Sequence, residues 1–551
     1  MILGKLGRFN EELTVLLKLY AGRKKALGDR NPETLLAQYG VAHTFLKLGR
    51  YEEALKILPK VYLLQKVILG ENDPDTLASQ SDLAEALFKS GRYEEALRTW
   101  NEVCEKMRKT LGEEHPDTLT ALNGLADTLS KLNRHKEALQ IKKEVYEKRS
   151  KVLGWEDPDT LTTQMSLACT LTDLGQNIDA LPIKRDVYKK RCKVLGEEHP
   201  DTLAAQNSLA ESLSNLRRHK EALQIKKEVY EKSRKVLGED HPYTLETQNS
   251  MALTLSKLGC GEEAQQVFRD VYEKRRRVLG VEHPDTLAAQ SSLAGELNDL
   301  GRCEEALKLQ REVYVKRNRQ HGAEAPETIA AQENLAAILE KLGRFHEELS
   351  VVLKLYAGKR KALGEKERET LRAQYSVAHV ILKLGRYEEA LKRYRNVYRI
   401  QKQVLGEDDP DTLATQNDLA DAMIGAEKYG EALLIQINVY EKRRKTLGEN
   451  NSQTLSTLNN VAWTLDKLRK YREAIEKQRQ LIRAYLQKDR DSGMRMNVRT
   501  IEAVFRLAEY YRHAGETTEA LKTIIWADSL IDEKGPGAGE LKKKVDRMLT
   551  K

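Results

Sequence analysis

Apolar residues recur along this chain at the spacing of a single helix face, in paired segments that are separated by turns. In the segment that begins at Pro200, one face is apolar and the opposite face is polar. The apolar positions of this segment are Leu203, Leu209, Ala210, Leu213 and Leu216. A second amphipathic segment of roughly 20 residues follows, which at about 1.5 Å per residue is a helix of about 30 Å. The pattern predicts two helices, A and B, joined by a tight turn.

This pair of helices returns at a fixed interval. A Pro-Asp-Thr-Leu box, or a variant of it, opens each helix A, and its threonine recurs every 42 residues, except that the last interval is 46 residues. The twelve threonines are Thr34, Thr76, Thr118, Thr160, Thr202, Thr244, Thr286, Thr328, Thr370, Thr412, Thr454 and Thr500. A period of roughly 20 to 50 residues indicates stacked supersecondary units, each of which buries its apolar face against its neighbours. The sequence therefore predicts one elongated array.

Local signals fix where the helices begin and end. Pro200 suits the first turn of helix A, and Asp201 places a carboxylate at the positive end of the helix dipole. Gly49 follows a helix A and permits the left-handed conformation that ends it. Helix B has a small residue in its core column, which allows a close approach of helix backbones. That column is Ala54, Ala96, Ala138, Ala180, Ala222, Ala264, Ala306, Ala390, Ala432, Ala474 and Ala520.

These motifs resemble the tetratricopeptide repeat in its 42-residue, kinesin-light-chain-like form. The matching features are the Asn-x-Leu-Ala of helix A at 207–210, the Leu-Gly-Arg-Tyr turn at 48–51, the Glu-Ala-Leu of helix B and the Leu-Gly-Glu-Glu-His-Pro-Asp-Thr-Leu linker at 195–203. The resemblance implies an all-α fold, a right-handed α-solenoid of tandem helix-turn-helix repeats. It also implies that A helices line the concave surface and B helices the convex one.

The sequence also contains a longer period, which spans several of the 42-residue repeats. The segment 6–13 is nearly copied at 342–349, an offset of eight 42-residue repeats. Both copies carry glutamate, Glu12 and Glu348, where the other repeats carry the core alanine. Duplication of a block of repeats explains this pattern more simply than coincidence.

The boundaries follow from where the period fades. We expect a partial N-terminal repeat with an unpaired B helix at 1–31, twelve repeat units at 32–534, and a C-terminal capping helix at 535–551. Terminal repeats need a polar cap. The N-terminal face is therefore expected to meet another protein or a second copy, or else Met1 lies inside a longer protein.

Composition further narrows the class of protein and the compartment in which it is expected. The 551 residues carry a net charge of +9, which is small for so long a chain and does not demand nucleic acid. Five scattered cysteines form no Cys-x-x-Cys pair, which suits a reducing compartment. The sequence shows no basic leader followed by an apolar run, and no apolar stretch long enough for a membrane span. We expect a cytoplasmic location and no membrane contact.

The sequence offers no catalytic candidate. His115, His199, His241 and His283 recur one per repeat, but repeats stacked about 10 Å apart cannot bring them to one metal ion. They are better interpreted as caps of helix A. Phosphate-binding, dinucleotide-binding, zinc-protease and nucleophile-elbow motifs are all missing from the sequence. We therefore expect a protein that is not an enzyme and uses no cofactor or metal.

Candidate binding residues come from the resemblance. In tetratricopeptide arrays, the residue two before the Leu-Ala pair of helix A and the residue just after the pair project into the concave groove. Here these positions include Asn123, Asp127, Asn207, Glu211, Asn249, Asn417, Asp421 and Asn459. Asparagine amides both donate and accept hydrogen bonds, which suits the backbone of an extended peptide. The acidic members favour a basic or neutral segment. The alternative is that these are solvated residues of an unused face.

We predict a scaffold for protein–protein interaction that binds extended peptide segments in the groove. Two alternatives stay open. Such repeats often follow the nucleotide-binding module of STAND-type ATPases and sense ligands there. The basic runs of helix B, such as 274–277, could instead contact RNA phosphates, although they are interleaved with glutamate in the manner of a solvated face. The chain lacks the heptad segment of kinesin light chains, so a motor subunit is not expected.

Overall fold

The computed structural model describes residues 9–491, 497–531 and 538–550, and all regular structure in these ranges is α-helical. The helices are numbered α1 to α26 in chain order. Even-numbered helices up to α24 are the A helices of the repeats and odd-numbered helices are the B helices. The chain divides into two units, 1–280 and 281–551. In each unit, successive helices pack against one another through short connections, which makes neighbours antiparallel. The predicted α-solenoid of tandem helix-turn-helix repeats is confirmed.

In unit 1, A helices of 16 residues alternate with B helices of 18 or 19 residues. The helices are α1 (Phe9–Leu27), α2 (Pro32–Lys47), α3 (Tyr51–Ile68), α4 (Pro74–Lys89), α5 (Tyr93–Thr110), α6 (Pro116–Lys131), α7 (His135–Val152), α8 (Pro158–Asp173), α9 (Asn177–Leu195), α10 (Pro200–Asn215), α11 (His219–Leu237), α12 (Pro242–Lys257) and α13 (Gly261–Leu279).

Unit 2 continues the alternation and ends with two shorter helices. The helices are α14 (Pro284–Asp299), α15 (Cys303–His321), α16 (Pro326–Lys341), α17 (Phe345–Leu363), α18 (Arg368–Lys383), α19 (Tyr387–Val404), α20 (Pro410–Gly425), α21 (Tyr429–Leu447), α22 (Ser452–Lys467), α23 (Tyr471–Asp491), α24 (Val498–His513), α25 (Thr517–Ser529) and α26 (Ala538–Leu549).

Every A helix except α18 begins with a side-chain cap or a proline, and most have both. Asp73 Oδ1 accepts a hydrogen bond from the backbone N–H of Asp75 at 3.0 Å. His199 Nδ1 does the same for the backbone N–H of Asp201 at 3.2 Å. Because the first N–H groups of a helix have no partner within the helix, these caps stabilise its start. The same cap is made by His115, His241 and His283, so the interpretation of these four histidines as helix caps is confirmed.

The turn between helix A and helix B requires a left-handed residue. Gly49 has a φ of 71°, as the sequence predicts. In four repeats a residue with a side chain takes this conformation: Asn133, Arg217, Glu427 and Arg469. Left-handed backbone costs an L-residue roughly 1–2 kcal/mol, so packing of the flanking helices imposes the turn at these positions.

The core lies in thin layers between the helices. All eleven alanines of the helix B column are fully buried, as predicted. In α10, Leu203, Leu209, Ala210 and Leu213 are buried, which confirms the apolar face. In unit 2, Glu348 occupies the alanine column of α17 and is buried there.

The ends of the array are partly described. Helix α1 packs against α2, and the segment 1–7 that would precede it lies outside the described residues. Helix α26 buries Val545 and Met548 in a cluster that includes Ala527 of α25, while the Gly-Pro-Gly break at 535–537 lies outside the described residues. The boundaries at 31 and 534 stay predictions. Within the described ranges, no helix has an apolar run that could cross a membrane.

Candidate functional site

The eight candidate residues all lie on A helices. In unit 1 they are carried by α6, α10 and α12, and in unit 2 by α20 and α22. Seven are half-buried and Glu211 is exposed. Within each unit we call the surface formed by these helix positions the A-helix face. Side chains link neighbouring A helices across it, as where Ser166 Oγ of α8 donates to Asp127 Oδ1 of α6 at 3.0 Å. Successive candidate positions in a unit therefore belong to one continuous surface.

Asn123 and Asp127 interact with each other and with the core. Asn123 Nδ2 donates to Asp127 Oδ2 at 3.1 Å. The ammonium of Lys142 lies 2.7 Å from Asp127 Oδ1 and is almost fully buried. The charge of Asp127 is therefore compensated within the repeat, and less of it is available to a ligand than the sequence suggested.

The amide oxygens of Asn207 and Asn249 are enclosed by the protein. Like Oδ1 of Asn123, their Oδ1 atoms are shielded from solvent and accept no hydrogen bond. The remaining polar atom of each amide is Nδ2, a donor. Glu211 lies near Lys226. Burial lowers the pKa of Lys226 to about 8, and the negative charge of Glu211 partly opposes this shift.

A column of buried lysines in unit 1 was not found by the sequence reasoning. Lys142, Lys184 and Lys226 occupy the same position of three successive B helices. Each reaches the A helix of the next repeat: Lys142 donates to Thr170 Oγ1 at 2.9 Å, Lys184 to the Ser208 carbonyl at 3.4 Å and Lys226 to Thr254 Oγ1 at 2.8 Å. The sequence does contain a signal for this column, because these three repeats carry lysine at a position where the other repeats of the unit carry leucine, tryptophan or phenylalanine.

In unit 2, Asn417 and Asp421 belong to a cluster of titratable groups. Asn417 Nδ2 donates to Asp421 Oδ2 and to Asp418 Oδ1, both at 3.3 Å. Burial, and then the charge of Asp418, raise the pKa of Asp421 to about 7. Asp418 behaves oppositely: burial alone would raise its pKa, but hydrogen bonds from His379 and Tyr375 lower it. Below about pH 7, a neutral Asp421 therefore lies beside an ionised Asp418.

This cluster has a counterpart in unit 1, as the duplication predicts. His43 Nδ1 lies 2.7 Å from Asp82 Oδ2, and His379 Nδ1 lies 3.3 Å from Asp418 Oδ2 in unit 2. Asn459 has a separate partner, because its Oδ1 accepts a hydrogen bond from Arg506 Nη1 at 2.8 Å. In the described part of the chain, no three His, Cys, Asp or Glu side chains are arranged to hold a metal ion.

The basic runs of helix B are paired with acidic residues of neighbouring linkers. Lys148 lies 2.7 Å from Glu113, and Arg277 lies 2.9 Å from Asp240. In unit 2, Lys442 lies 3.0 Å from Glu407. These pairs join successive repeats and neutralise part of the basic charge on the B helices.

Stacked helix pairs that repeat at a fixed interval and a polar A-helix face define a tandem helical-repeat protein. A tetratricopeptide repeat model matches residues 33–109, 75–151, 201–273, 243–314 and 369–436, and a second model of the same repeat matches residues 160–201. Together they cover more than half of the sequence. The chain belongs to the tetratricopeptide repeat family, and proteins built from these repeats are in general non-catalytic scaffolds that bind other proteins.

Solved structures of kinesin-light-chain-like repeats are similar to this chain. Two are crystal structures of a Podosopora anserina protein described as a kinesin light chain with nearly identical TPR-like repeats. A single-substitution variant is 30% identical with a TM-score of 0.34 and covers 37% of this chain and 96% of its own. The other is 28% identical with a TM-score of 0.34, and the match covers 38% of this chain and 99% of the crystallised one. BtubC (BKLC) from P. vanneervenii is 17% identical with a TM-score of 0.37, and the match covers 42% of this chain and 92% of BtubC. No curated protein matches the chain. The predicted resemblance to kinesin-light-chain-like tetratricopeptide repeats is confirmed.

Proposed function

We propose that the A-helix face binds extended peptide segments of partner proteins. The observation that carries the proposal is the set of asparagines at one helix position: Asn123, Asn207 and Asn249 in unit 1 and Asn417 and Asn459 in unit 2. A side-chain amide that recurs at one position contacts a backbone rather than a particular side chain, since every peptide residue offers the same polar groups.

The direction of the hydrogen bonds follows from the buried oxygens. Because Oδ1 of Asn207 and Asn249 is shielded, Nδ2 is the atom that can donate to a peptide carbonyl. Repeats stack about 10 Å apart and an extended peptide advances about 3.4 Å per residue. Each repeat then spans about three peptide residues, and one carbonyl in three can accept from an asparagine.

The ligand is basic or neutral. Asp127 is compensated by Lys142, so in unit 1 the preference rests on Glu211. In unit 2, Asp421 and Asp418 together bind a basic group better as the pH rises above about 7, because Asp421 then ionises. No cofactor takes part in this function.

The N-terminal face of unit 1 is a second proposed contact, with another protein or a second copy of the chain. Leu19 of α1 is 41% exposed, whereas Leu355, at the same position of α17, is 5% exposed. In unit 2, Leu355 packs with Ile329 of α16, the A helix that pairs with α17. A helix supplied by a partner would bury Leu19 in the same way.

The test of peptide binding replaces three asparagines of one unit. Peptides are selected from a random dodecapeptide library on the full chain. Their dissociation constants are then measured on the Asn123→Ala, Asn207→Ala, Asn249→Ala triple variant. Each lost hydrogen bond is worth about 0.5–1.5 kcal/mol, so we expect the dissociation constant to rise by about tenfold or more.

The matched control removes three exposed amides from B helices of the same unit: Asn101, Gln140 and Gln224. We expect this control variant to bind the selected peptides as the wild type does, and both variants to keep their helical circular dichroism. Equal binding by the asparagine variant, or failure of any peptide to be selected, would overturn the proposal.

A further inference from the structure

Glu348, like Glu12, departs from the alanine of the helix B core column. Eleven repeats place a fully buried alanine there, because helix backbones approach closely at this point. Glu348 is only 4% exposed, and its Oε2 atom is shielded from solvent without a hydrogen-bond partner. A buried carboxyl oxygen without a partner is costly, so its presence needs an explanation.

The carboxyl group borders a cavity of about 260 Å³ between α16, α17 and α18 of unit 2. Glu333 and Ala337 of α16 also border it. These two residues occupy the helix positions that Asn207 and Glu211 occupy in α10, so the cavity opens on the A-helix face. Alanine at the second position leaves room that an acidic side chain takes up in α10. The other walls include the apolar side chains of Val352, Leu355 and Ala373.

The positive groups that border this cavity are already paired. The ammonium of Lys359 lies 2.6 Å from Glu333 and 3.0 Å from Glu369. Arg372 lies 3.1 Å from Glu369 and 3.0 Å from Asp411. Neither cation makes an ion pair with Glu348.

The other charged groups that act on Glu348 come from neighbouring A helices. Burial, and then the charge of Glu340 on α16, raise the pKa of Glu348 to about 7. His379 and Lys383 of α18 act in the opposite direction. Glu340 itself is half-exposed and lies 3.7 Å from His379 Nε2. Glu348 and Glu340 therefore both border the cavity, and neither of the cavity's cations, Lys359 and Arg372, pairs with Glu348.

We propose that this cavity is a binding pocket for a basic side chain, in which the ammonium or guanidinium group of a peptide residue meets Glu348 and Glu340. The pocket deepens the proposed function, on which its role in peptide recognition rests. A lysine or arginine side chain would place its methylene groups against Val352, Leu355 and Ala373 and its charge at the carboxylates. A small-molecule site typically has about 300–1,000 Å³, so this smaller cavity suits one side chain.

The pocket can be tested without a peptide. The full chain, labelled with ¹³C at glutamate Cδ, is titrated with n-butylammonium chloride at pH 8, and the Glu348 resonance is assigned by its loss in Glu348→Gln. We expect a saturable shift of this resonance with a dissociation constant in the millimolar range. Below pH 7, where Glu348 is protonated, the affinity should fall about tenfold per pH unit.

Three controls define what would overturn the pocket. Sodium chloride at the same ionic strength and 1-butanol at the same concentration should produce no saturable shift. Glu347→Gln removes an equal charge from the next residue, which pairs with Arg311 and Arg344 outside the cavity, and should bind n-butylammonium as the wild type does. If the Glu348 resonance does not respond, or responds equally to 1-butanol, the proposal is wrong.

A second measurement connects the pocket to peptide binding. Glu348→Ala restores the residue found in the other repeats, so the fold is expected to be retained. For a selected peptide, replacing its lysine or arginine with norleucine should weaken binding at least tenfold in the wild type and leave binding to Glu348→Ala unchanged. If n-butylammonium binds but the peptides do not depend on the asparagines, the proposed function fails while the pocket stands. An equal loss in wild type and Glu348→Ala would place the basic residue elsewhere and overturn its assignment to this pocket.

Discussion

The indole ring of Trp100 lies against Gly124, with no space for a side chain between them. A methyl group added at Gly124 would lie 2.7 Å from Cζ2 of the indole, closer than real contacts allow. Trp100 is 6% exposed, its Nε1 has no hydrogen-bond partner, and it borders a cavity of about 500 Å³ in unit 1. Helix α5 can therefore carry tryptophan at this position because helix α6 carries glycine opposite it.

Gly124→Ala is expected to destabilise the chain by about 1–3 kcal/mol, the typical cost of overpacking a core. Trp100→Leu, which installs the residue found at Leu58 in the preceding repeat, should relieve the cost in the double variant. Gly295 is the control, because it lies on the exposed face in the middle of α14. A side chain added there would meet no other atom within 4 Å. Gly295→Ala should stabilise by about 0.5–1 kcal/mol. Urea unfolding measures each change, and equal effects at both glycines would contradict the packing argument.

The left-handed turns allow a stabilising substitution. Arg217 has a φ of 61° at the position that most repeats give to glycine. Arg217→Gly removes the steric cost of this conformation and is expected to stabilise by about 0.5–1 kcal/mol. Gly259→Ala, at a φ of 80° in the same turn of a later repeat, should destabilise by a similar amount or more. The midpoints of thermal unfolding distinguish these outcomes. A loss of stability in Arg217→Gly would mean that the arginine makes a contact that matters more than its backbone strain.

Asp127 is expected to stabilise the fold as well as to contact a ligand. Asp127→Ala leaves the buried ammonium of Lys142 with Thr170 as its partner, at a cost of about 1–3 kcal/mol. The double variant with Lys142→Leu should recover most of this loss, because Leu58 fills the corresponding position in an earlier repeat. An exposed pair gives the comparison: Glu156→Ala, which removes the partner of Lys193, should cost less than about 0.5 kcal/mol. Failure of the double variant to recover would argue against the pairing.

Stability should fall as the pH rises towards neutrality. Burial raises the pKa of Glu348 from its ordinary 4.5 to about 7, so between these values the folded chain binds a proton that the unfolded chain has lost. Its contribution is fully present below pH 4.5 and is lost as the pH rises through 7, by about 3 kcal/mol in all. Glu348→Ala should remove this contribution and leave that of Asp421, whose pKa is also raised to about 7. We expect the variant to gain more over the wild type at pH 8 than at pH 5 in urea unfolding, and an equal gain at both would contradict the shift.

Much of the architecture could be predicted because its causes are local. The cap at His199, the left-handed turn at Gly49 and the apolar face of α10 each depend on residues within one or two helical turns. Stacking of the repeats followed from the period, since a helix pair buries its apolar face only against its neighbours. The sequence also marked Glu348 as a departure from the alanine column.

The tertiary structure decided which polar groups of the A-helix face already have partners. Asp127 is neutralised by a lysine from helix B, Asn459 accepts from Arg506 of the next A helix, and Asn207 keeps a shielded oxygen without a partner. These contacts join residues on different helices, and their distances depend on how side chains pack across the interface. The burial of Glu348 and the cavity beside it arise in the same way, because three helices must meet before any carboxyl group is enclosed. The sequence by itself determined the repeat and its helices, whereas long-range packing decided which side chains a ligand can reach.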